Sequence, residues 1–392
     1  MEAESAISRP PLLSLISSYD FEETASRSLS KKTWAFYSSA ATDEITRKTN
    51  KTLYDRIWFR PRVMRNVREV NTRSKILGCD VALPFFVSPA AMAKLVHPDG
   101  ELAIARGCSR FGIGQCISSN ASYDVSEIVA CGTKSPFFLQ LYVNKDRASS
   151  EALLRRAEEC GIRAVFVTVD APVPGKREAD ERVPVDRGFV AYAPMTGASA
   201  SNDSKGGGLG RTMGAYIDAT LNWDDLEWLR RSTKLPVVLK GIQTVEDAIL
   251  AAQYGVDGIF ISNHGGRSLD TSPPSILTLM EIRQHHPELF EQVEVYVDSG
   301  IRRGTDILKA LCLGAKVVGM GRPFLYALNY GQEGIEQFIG IMKDELETAM
   351  RLVGITSLDQ AHPGLLNTCD INHLVTRTIE ASPMALPVKA RL

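Results

Sequence analysis

The chain has 392 residues, a formal charge of -1 and 44% hydrophobic residues, enough for one large domain or two ordinary ones. Balanced charge speaks against a nucleic-acid partner, no apolar run is long enough to span a bilayer, and the polar opening MEAESAISRP lacks the apolar core of a secretory signal. Seven cysteines without CxxC spacing read as reduced thiols of an intracellular protein, not as disulfides or a metal site; Cys108, Cys116, Cys131 and Cys312 sit in apolar contexts and are expected in the core.

In chain order, residues 1–55 read as a helical N-terminal arm. Eight short apolar runs follow: LPFFVSPA from Leu83, GIGQCIS from Gly112, FFLQLY from Phe137, AVFVTVD from Ala164, PVVLKG from Pro236, GIFISN from Gly258, VEVYVDSG from Val293 and KVVGMG from Lys316. Between most of them lie amphipathic stretches such as SEALLRRAEECG and TVEDAILAAQYG; TLMEIRQHHPEL and the long YGQEGIEQFIGIMKDELETAMRLVG supply later helices. Buried strands alternating with helices imply a parallel sheet, and eight such units predict an α/β fold of the closed (β/α)8 TIM-barrel type over residues 56–380. The Gly- and Ser-rich GASASNDSKGGGLG, within a segment 187–212 after the fourth strand, reads as a mobile loop, either a plain excursion or a functional cover. Residues 381–392 form a tail.

Barrel chemistry sits at the C-terminal ends of the strands. There the chain places Gln140 and Tyr142, Thr168 and Asp170, Lys240, the stretch SNHGGRSLD from Ser262 to Asp270, and Asp298, Ser299 and Gly300. His264, just past a strand, suits a proton acceptor near neutral pH, and Asp170 can orient its ring. The two glycines after it allow close backbone approach to a planar ligand. Arg267 offers a fork for a carboxylate; Arg177 is read either as a second clamp or as a surface residue. Lys240, closing a buried strand, calls for an anion such as a cofactor. DSGIRRG and GMGRP, with Arg302 and Arg322, fit the seventh and eighth loops, where such barrels bind phosphate.

The motifs SNHGGRSLD, TVDAPVPGKRE, FFLQLYV, PVVLKGI and DSGIRRGTDILKALCLGA resemble the FMN-dependent α-hydroxy-acid oxidases and dehydrogenases, the family of glycolate oxidase, lactate oxidase and the flavin domain of flavocytochrome b2; the resemblance runs from about Trp34 to Glu347. It implies FMN as cofactor, His264 as base with Asp170 as its partner, and Tyr142 at the substrate hydroxyl. It implies Arg177 and Arg267 at the substrate carboxylate and Lys240 at the N1 and C2 oxygen of the reduced flavin. Ser118, Gln140 and Thr168 would bond the flavin ring. Ser262 joins the cofactor set, and Asp298, Ser299, Gly300, Arg302, Gly321 and Arg322 would hold the phosphate.

The chain departs from that family at three positions. Phe36 stands where a tyrosine usually touches the substrate carboxylate, Asn120 where an aromatic residue is frequent, and Ser268 where glutamine is frequent. These argue against plain glycolate oxidation and for a bulkier or less typical substrate, as in a family member repurposed for biosynthesis. The resemblance implies an FMN-dependent (S)-2-hydroxy-acid oxidase turning an L-2-hydroxy acid into the 2-oxo acid, with O2 reduced to H2O2, since neither a haem-binding domain nor a membrane insert is expected. The alternatives are a dehydrogenase passing electrons to a quinone or protein acceptor, and a flavin-binding protein that has lost catalysis. A homo-oligomer, tetramer or octamer, is expected by family analogy. The terminal Ala390-Arg391-Leu392 matches the small–basic–leucine pattern read by a peroxisomal import receptor, so a peroxisomal protein is expected, otherwise a cytoplasmic one.

Overall fold

The computed structural model describes residues 9–376 except 133, 186, 187, 203 and 206. The predicted runs form eight strands: β1 Phe85–Val87, β2 Gln115–Ser118, β3 Phe137–Leu141, β4 Val165–Thr168, β5 Val237–Ile242, β6 Gly258–Ile261, β7 Glu294–Val297 and β8 Val317–Met320. They pair in parallel, and the ring closes where β8 meets β1, with Val318, Gly319 and Met320 opposite Phe85, Phe86 and Val87. This is the (β/α)8 barrel expected of the alternating pattern.

Three helices precede it: α1 Ser18–Ser28, α2 Lys31–Ser38 and α3 Ile45–Asp55. Ser17 and Asp20 form a capping box at the start of α1, and the Ser30 hydroxyl caps α2 through the Thr33 N–H. After β1 to β3 come α4 Gly100–Phe111, α5 Val125–Ala130 and α6 Arg147–Glu159. The segment after β4 is the longest. It holds α7 Glu178–Arg182, a two-stranded hairpin of Tyr192–Ala193 against Ala198–Ser199, α8 Leu209–Met213 and α9 Asp225–Ser232. The Gly- and Ser-rich stretch, read from composition as a mobile loop, either a plain excursion or a functional cover, carries one hairpin strand and the start of a helix.

Later units add α10 Val245–Gln253, α11 Ser275–His285, α12 Leu289–Gln292, α13 Gly304–Cys312, α14 Arg322–Leu328 and α15 Gly331–Val353. TLMEIRQHHPEL, expected as one helix, is two: α11 stops at His285 because Pro287 disfavours helix at His286 and supplies no N–H. Cys108, Cys116 and Cys312 are buried, but Cys131, which caps the C-terminal end of α5, is only partly so, against the expectation of a core thiol. No helix among the described residues is long and apolar enough to cross a membrane. The tail motif Ala390-Arg391-Leu392 lies outside the described residues.

The barrel interior explains where its polar groups stand. Phe86, Phe138, Phe166, Phe260 and Tyr296 point inward and pack as one aromatic plug, with Phe86 and Phe260 centroids 5.5 Å apart and Phe138 and Phe166 also 5.5 Å apart. Ile76 and Val81, from the hairpin of Ser74–Ile76 and Cys79–Val81, join it. Side chains alternate along a strand, so the residue two positions on from each plug residue also faces inward, one layer nearer the C-terminal mouth. Those residues are Ser88, Gln140, Thr168, Ser262 and Asp298, joined by Ser118 and Lys240, two positions on from Cys116 and Val238 of the same cluster, and all are buried. One period-two rule therefore lays a polar floor on an aromatic plug.

Candidate active site

A cavity of about 420 Å³ opens above that floor. Ser118 donates to Gln140 Oε1 (3.1 Å), and Gln140 Nε2 donates to Thr168 Oγ1 (2.9 Å), so three strand ends are joined in one chain of bonds. Across the ring Lys240 Nζ donates to Ser262 Oγ (3.1 Å), and Asp298 accepts from Ser88 (3.3 Å) and Ser299 (2.8 Å). Ser262 does not line the cavity; its hydroxyl also accepts from the His264 N–H (3.1 Å), so it supports Lys240 and His264 from behind.

His264 follows β6 in the left-handed region, φ 57°, a conformation that costs a non-glycine residue roughly 1–2 kcal/mol. The turn aims the ring back across the mouth. Nδ1 lies 3.0 Å from Asp170 Oδ1, and Nε2 lies 3.3 Å from the Tyr142 hydroxyl. Burial pushes the imidazole below its ordinary value, with Lys240 and Arg177 adding to the push and Asp170 opposing it. Burial alone would raise the Asp170 carboxyl, but the His264 and Lys240 charges outweigh it and hold it below the usual range. Both shifts favour a neutral imidazole beside an ionised carboxylate at neutral pH. Burial, with Asp170 adding to it, keeps the Tyr142 phenol protonated.

Arg177 and Arg267 both line the cavity, so Arg177 is not a plain surface residue. Arg177 Nε donates to the Arg267 carbonyl (3.2 Å), and Arg267 Nη1 donates to the carbonyls of Tyr37 (3.0 Å) and Ser39 (2.9 Å). Neither pairs with a carboxylate among the described residues. Burial lowers both guanidiniums, Arg267 strongly, since Arg177 and Arg322 repel it. Phe36, on α2, lines the same wall, its ring centroid 5.2 Å from Arg267 Cζ. Asn120 lines it too, its Oδ1 accepting from Thr196 (2.8 Å) and Tyr216 (3.0 Å). Ser268 does not line the cavity.

At the far end lie Ser299, Gly300, Arg302, Gly321 and Arg322. Arg302 pairs with Glu22 of α1 (3.1 Å). Arg322 Nη2 donates to the Gly265 carbonyl (2.8 Å), while its Nη1 is buried with no hydrogen bond. A Cβ on Gly265 would sit 2.6 Å from Arg322 Nη2, so this glycine makes room for the guanidinium, and it also lines the cavity. Burial, with Arg302 and Arg47 nearby, pushes Arg322 down to about 10.

A family model for FMN-dependent dehydrogenases matches residues 25–368. The chain belongs to that family. It is 44% identical over 378 residues to the L-lactate dehydrogenase (cytochrome) of Saccharomyces cerevisiae, a match covering 94% of this chain. The chain spans 63% of that relative's length. It is 39% identical over 347 residues to human 2-hydroxyacid oxidase 1, covering 87% of this chain and 93% of that one. The recombinant flavin-binding domain of baker's yeast flavocytochrome b2 superposes with a TM-score of 0.83 at 41% identity, covering 98% of this chain and 94% of that chain. Mandelate oxidase with (S)-4-hydroxymandelic acid superposes with a TM-score of 0.83 at 36% identity, covering 90% and 98%.

FMN is the cofactor of this family, and the residues present fit it. A buried lysine whose hydrogen bond goes to a neutral hydroxyl, and a buried arginine N–H with no partner at a cationic end, suit an anionic ring edge and a phosphate. The linked Ser118, Gln140 and Thr168 offer donors and acceptors to a polar ring.

Motif reading missed several residues of the site. Ser88 is buried and bonded to Asp298, and the Phe86–Ser88 alternation was a signal that could have found it. Asn50 and Asn263 exchange reciprocal amide bonds (2.9 and 2.8 Å) that tie α3 to the SNHGGRSLD turn. Asp270, at the end of that stretch, accepts from the Thr46 N–H (2.9 Å), the Asp43 N–H (3.1 Å) and the Thr42 hydroxyl (3.0 Å), which pins the N-terminal arm over the mouth. No local pattern announces such long-range partners.

Proposed function

We propose that the chain oxidises a 2-hydroxy acid to the 2-oxo acid. The observation that carries this reading is the hydrogen-bonded line Tyr142–His264–Asp170, whose Tyr142 and His264 share one cavity with Arg177 and Arg267. Arg177 and Arg267 bind the substrate carboxylate through charge-assisted hydrogen bonds. Tyr142, kept protonated, donates to the substrate oxygen. Neutral His264 takes the hydroxyl proton at Nε2, and Asp170 fixes the tautomer through Nδ1 and stabilises the imidazolium that results. Ser118, Gln140, Thr168 and Lys240 hold the ring of FMN, and Ser299, Gly300, Arg302, Gly321 and Arg322 its phosphate. FMN, when bound, supplies the two-electron sink that no side chain here can provide.

The net reaction proposed is 2-hydroxy acid plus O2 to 2-oxo acid plus H2O2, which balances in atoms and electrons. Human 2-hydroxyacid oxidase 1 supports oxygen as acceptor by its name. The 44% identity to a lactate dehydrogenase named for cytochrome favours a second reading, a protein acceptor. Phe36 and Asn120 support a substrate other than glycolate, because both line the cavity. The test is anaerobic bleaching of the bound flavin by a panel of 2-hydroxy acids of increasing side-chain size. Reoxidation is then followed with O2 and with cytochrome c. Bleaching by none of them would sink the reading, and fast reoxidation by cytochrome c alone would select the second acceptor.

A further inference from the structure

Lys32 is a charged group for which the reaction above has no use. It lies on α2, its side chain is 2% exposed, and that of its partner Asp180 is 1% exposed. Its Nζ lies 2.7 Å from Asp180 Oδ1, 2.7 Å from the Asp180 carbonyl, 2.9 Å from the Val183 carbonyl and 2.6 Å from the Gly207 carbonyl. Three N–H groups thus serve four acceptors, drawn from α7 with its end and from the entry to α8. A lysine is buried this deeply only where such a set compensates its lost hydration.

The two segments it holds enclose Arg177. That arginine is the residue before α7, and Asp180 follows it by three positions on the first turn. The other carboxylate oxygen, Asp180 Oδ2, accepts from the Gly210 N–H (3.2 Å). A Cβ on Gly210 would stand 2.6 Å from Arg177 Nη1. Gly210 therefore sits between the Asp180 carboxylate and the Arg177 guanidinium, with nothing bulkier to keep them apart. The Asp180 charge is felt by both arginines and favours the charged form of each. A carboxylate in this place, without its own cation, would compete for the arginines that a substrate carboxylate has to reach.

We propose that Lys32 is a positioning residue that sequesters Asp180, leaving Arg177 and Arg267 free to take the carboxylate of the substrate. The inference rests on the reading that those two arginines bind that carboxylate. It assigns to the N-terminal arm a part in substrate affinity through a residue that touches no substrate.

The test uses the FMN-loaded protein, with oxalate as a small carboxylate probe titrated against the flavin absorbance, alongside KM and kcat for a 2-hydroxy acid that bleaches the flavin. Lys32→Met should weaken oxalate and raise KM by roughly ten- to hundredfold, with a smaller fall in kcat, because the freed Asp180 competes with the ligand. Lys32→Gln keeps a donor for the carbonyls without the charge; it should show the same loss, and it decides the matter should the methionine variant not fold. The double variant Lys32→Met, Asp180→Asn removes the competitor and should recover at least about tenfold of the affinity. A purely structural role predicts that oxalate affinity recovers only as far as the melting temperature does, since the double variant also removes a buried unpaired carboxylate. Recovery of affinity beyond that of stability supports the relieved competitor, and recovery that merely parallels stability would overturn it. Oxalate affinity within about threefold of wild type in the single variants, or a loss that the double variant leaves in place, would overturn the proposal. If the wild-type protein binds neither oxalate nor any 2-hydroxy acid, the carboxylate reading itself fails, and this inference with it; unchanged single variants of a wild type that does bind sink the Lys32 role alone.

Discussion

As the proposed base, His264 accepts a proton only when neutral, so its environment sets the acid limit expected of the reaction. Burial lowers its pKa from the ordinary value near 6.5, and Asp170 only partly restores it. A lowered value means the proton is lost at lower pH. The acid limb of kcat/KM against pH is therefore expected to have its midpoint below 6.5, with the base available throughout the neutral range. Asp170→Asn removes the negative charge that raises the His264 pKa, so the midpoint moves further down while the plateau falls for want of imidazolium stabilisation. A wild-type midpoint above 7 would contradict the assignment. Phe36 is the other residue that decides an argument at this scale. Its ring faces Arg267 on the cavity wall. Phe36→Tyr should add a donor to a small carboxylate ligand and tighten glycolate or lactate by up to about 1.5–3 kcal/mol. For a natural substrate that packs apolar surface on Phe36, the stranded hydroxyl costs about 1–3 kcal/mol and binding weakens. Anaerobic titrations of both ligands check this; changes under about twofold for both would remove Phe36 from the substrate wall. The meeting of His264, Asp170, Tyr142 and Lys240 at one end of the barrel was legible because dense polarity after an apolar run has few structural uses. Lys32 was not legible: it lies in KKTW, where it reads as one more surface lysine of an amphipathic helix.

At the scale of elements, the strand ends determine the site. β5 breaks its register between Lys240 and Ile242, and Gly241 there has φ +113°. A Cβ at Gly241 would stand 2.5 Å from Asp170 Cβ and 2.6 Å from its Cγ. The bulge thus lets the Asp170 carboxyl pass beside β5 to reach His264. Gly241→Ala should push Asp170 off the imidazole and lower kcat at least about tenfold. It should also cost about 1–3 kcal/mol of stability through overpacking. Turnover and thermal melting together check this, and wild-type turnover would show that the Asp170 approach does not need the bulge. All eight strands were legible to within about three residues because apolar runs of that length have one common use in a barrel. The hairpin and α8 after β4 were not, since Gly and Ser composition says nothing of the pairing that Tyr192 and Ala193 find with Ser199 and Ala198.

For the molecule as a whole, the site is an assembly of arcs far apart in sequence. α2 brings Phe36, the β3 and β4 ends bring Gln140, Tyr142, Thr168 and Asp170, and β5 and β6 bring Lys240 and His264. The barrel was legible from its repeat. The arm's place over the mouth was not, because the Asp270 bonds to Thr42, Asp43 and Thr46 and the Asn50–Asn263 pair join residues more than 200 positions apart. In the proposed function this assembly makes His264 the base that starts electron flow from a 2-hydroxy acid to FMN. The most direct measurement is rapid mixing of the FMN-loaded protein with such an acid in the absence of oxygen, comparing wild type with His264→Gln. The variant should keep its flavin spectrum, since the floor residues are untouched, and the rate of flavin bleaching should fall by about 10²–10⁴-fold or more. Bleaching of the variant at close to the wild-type rate would contradict the account.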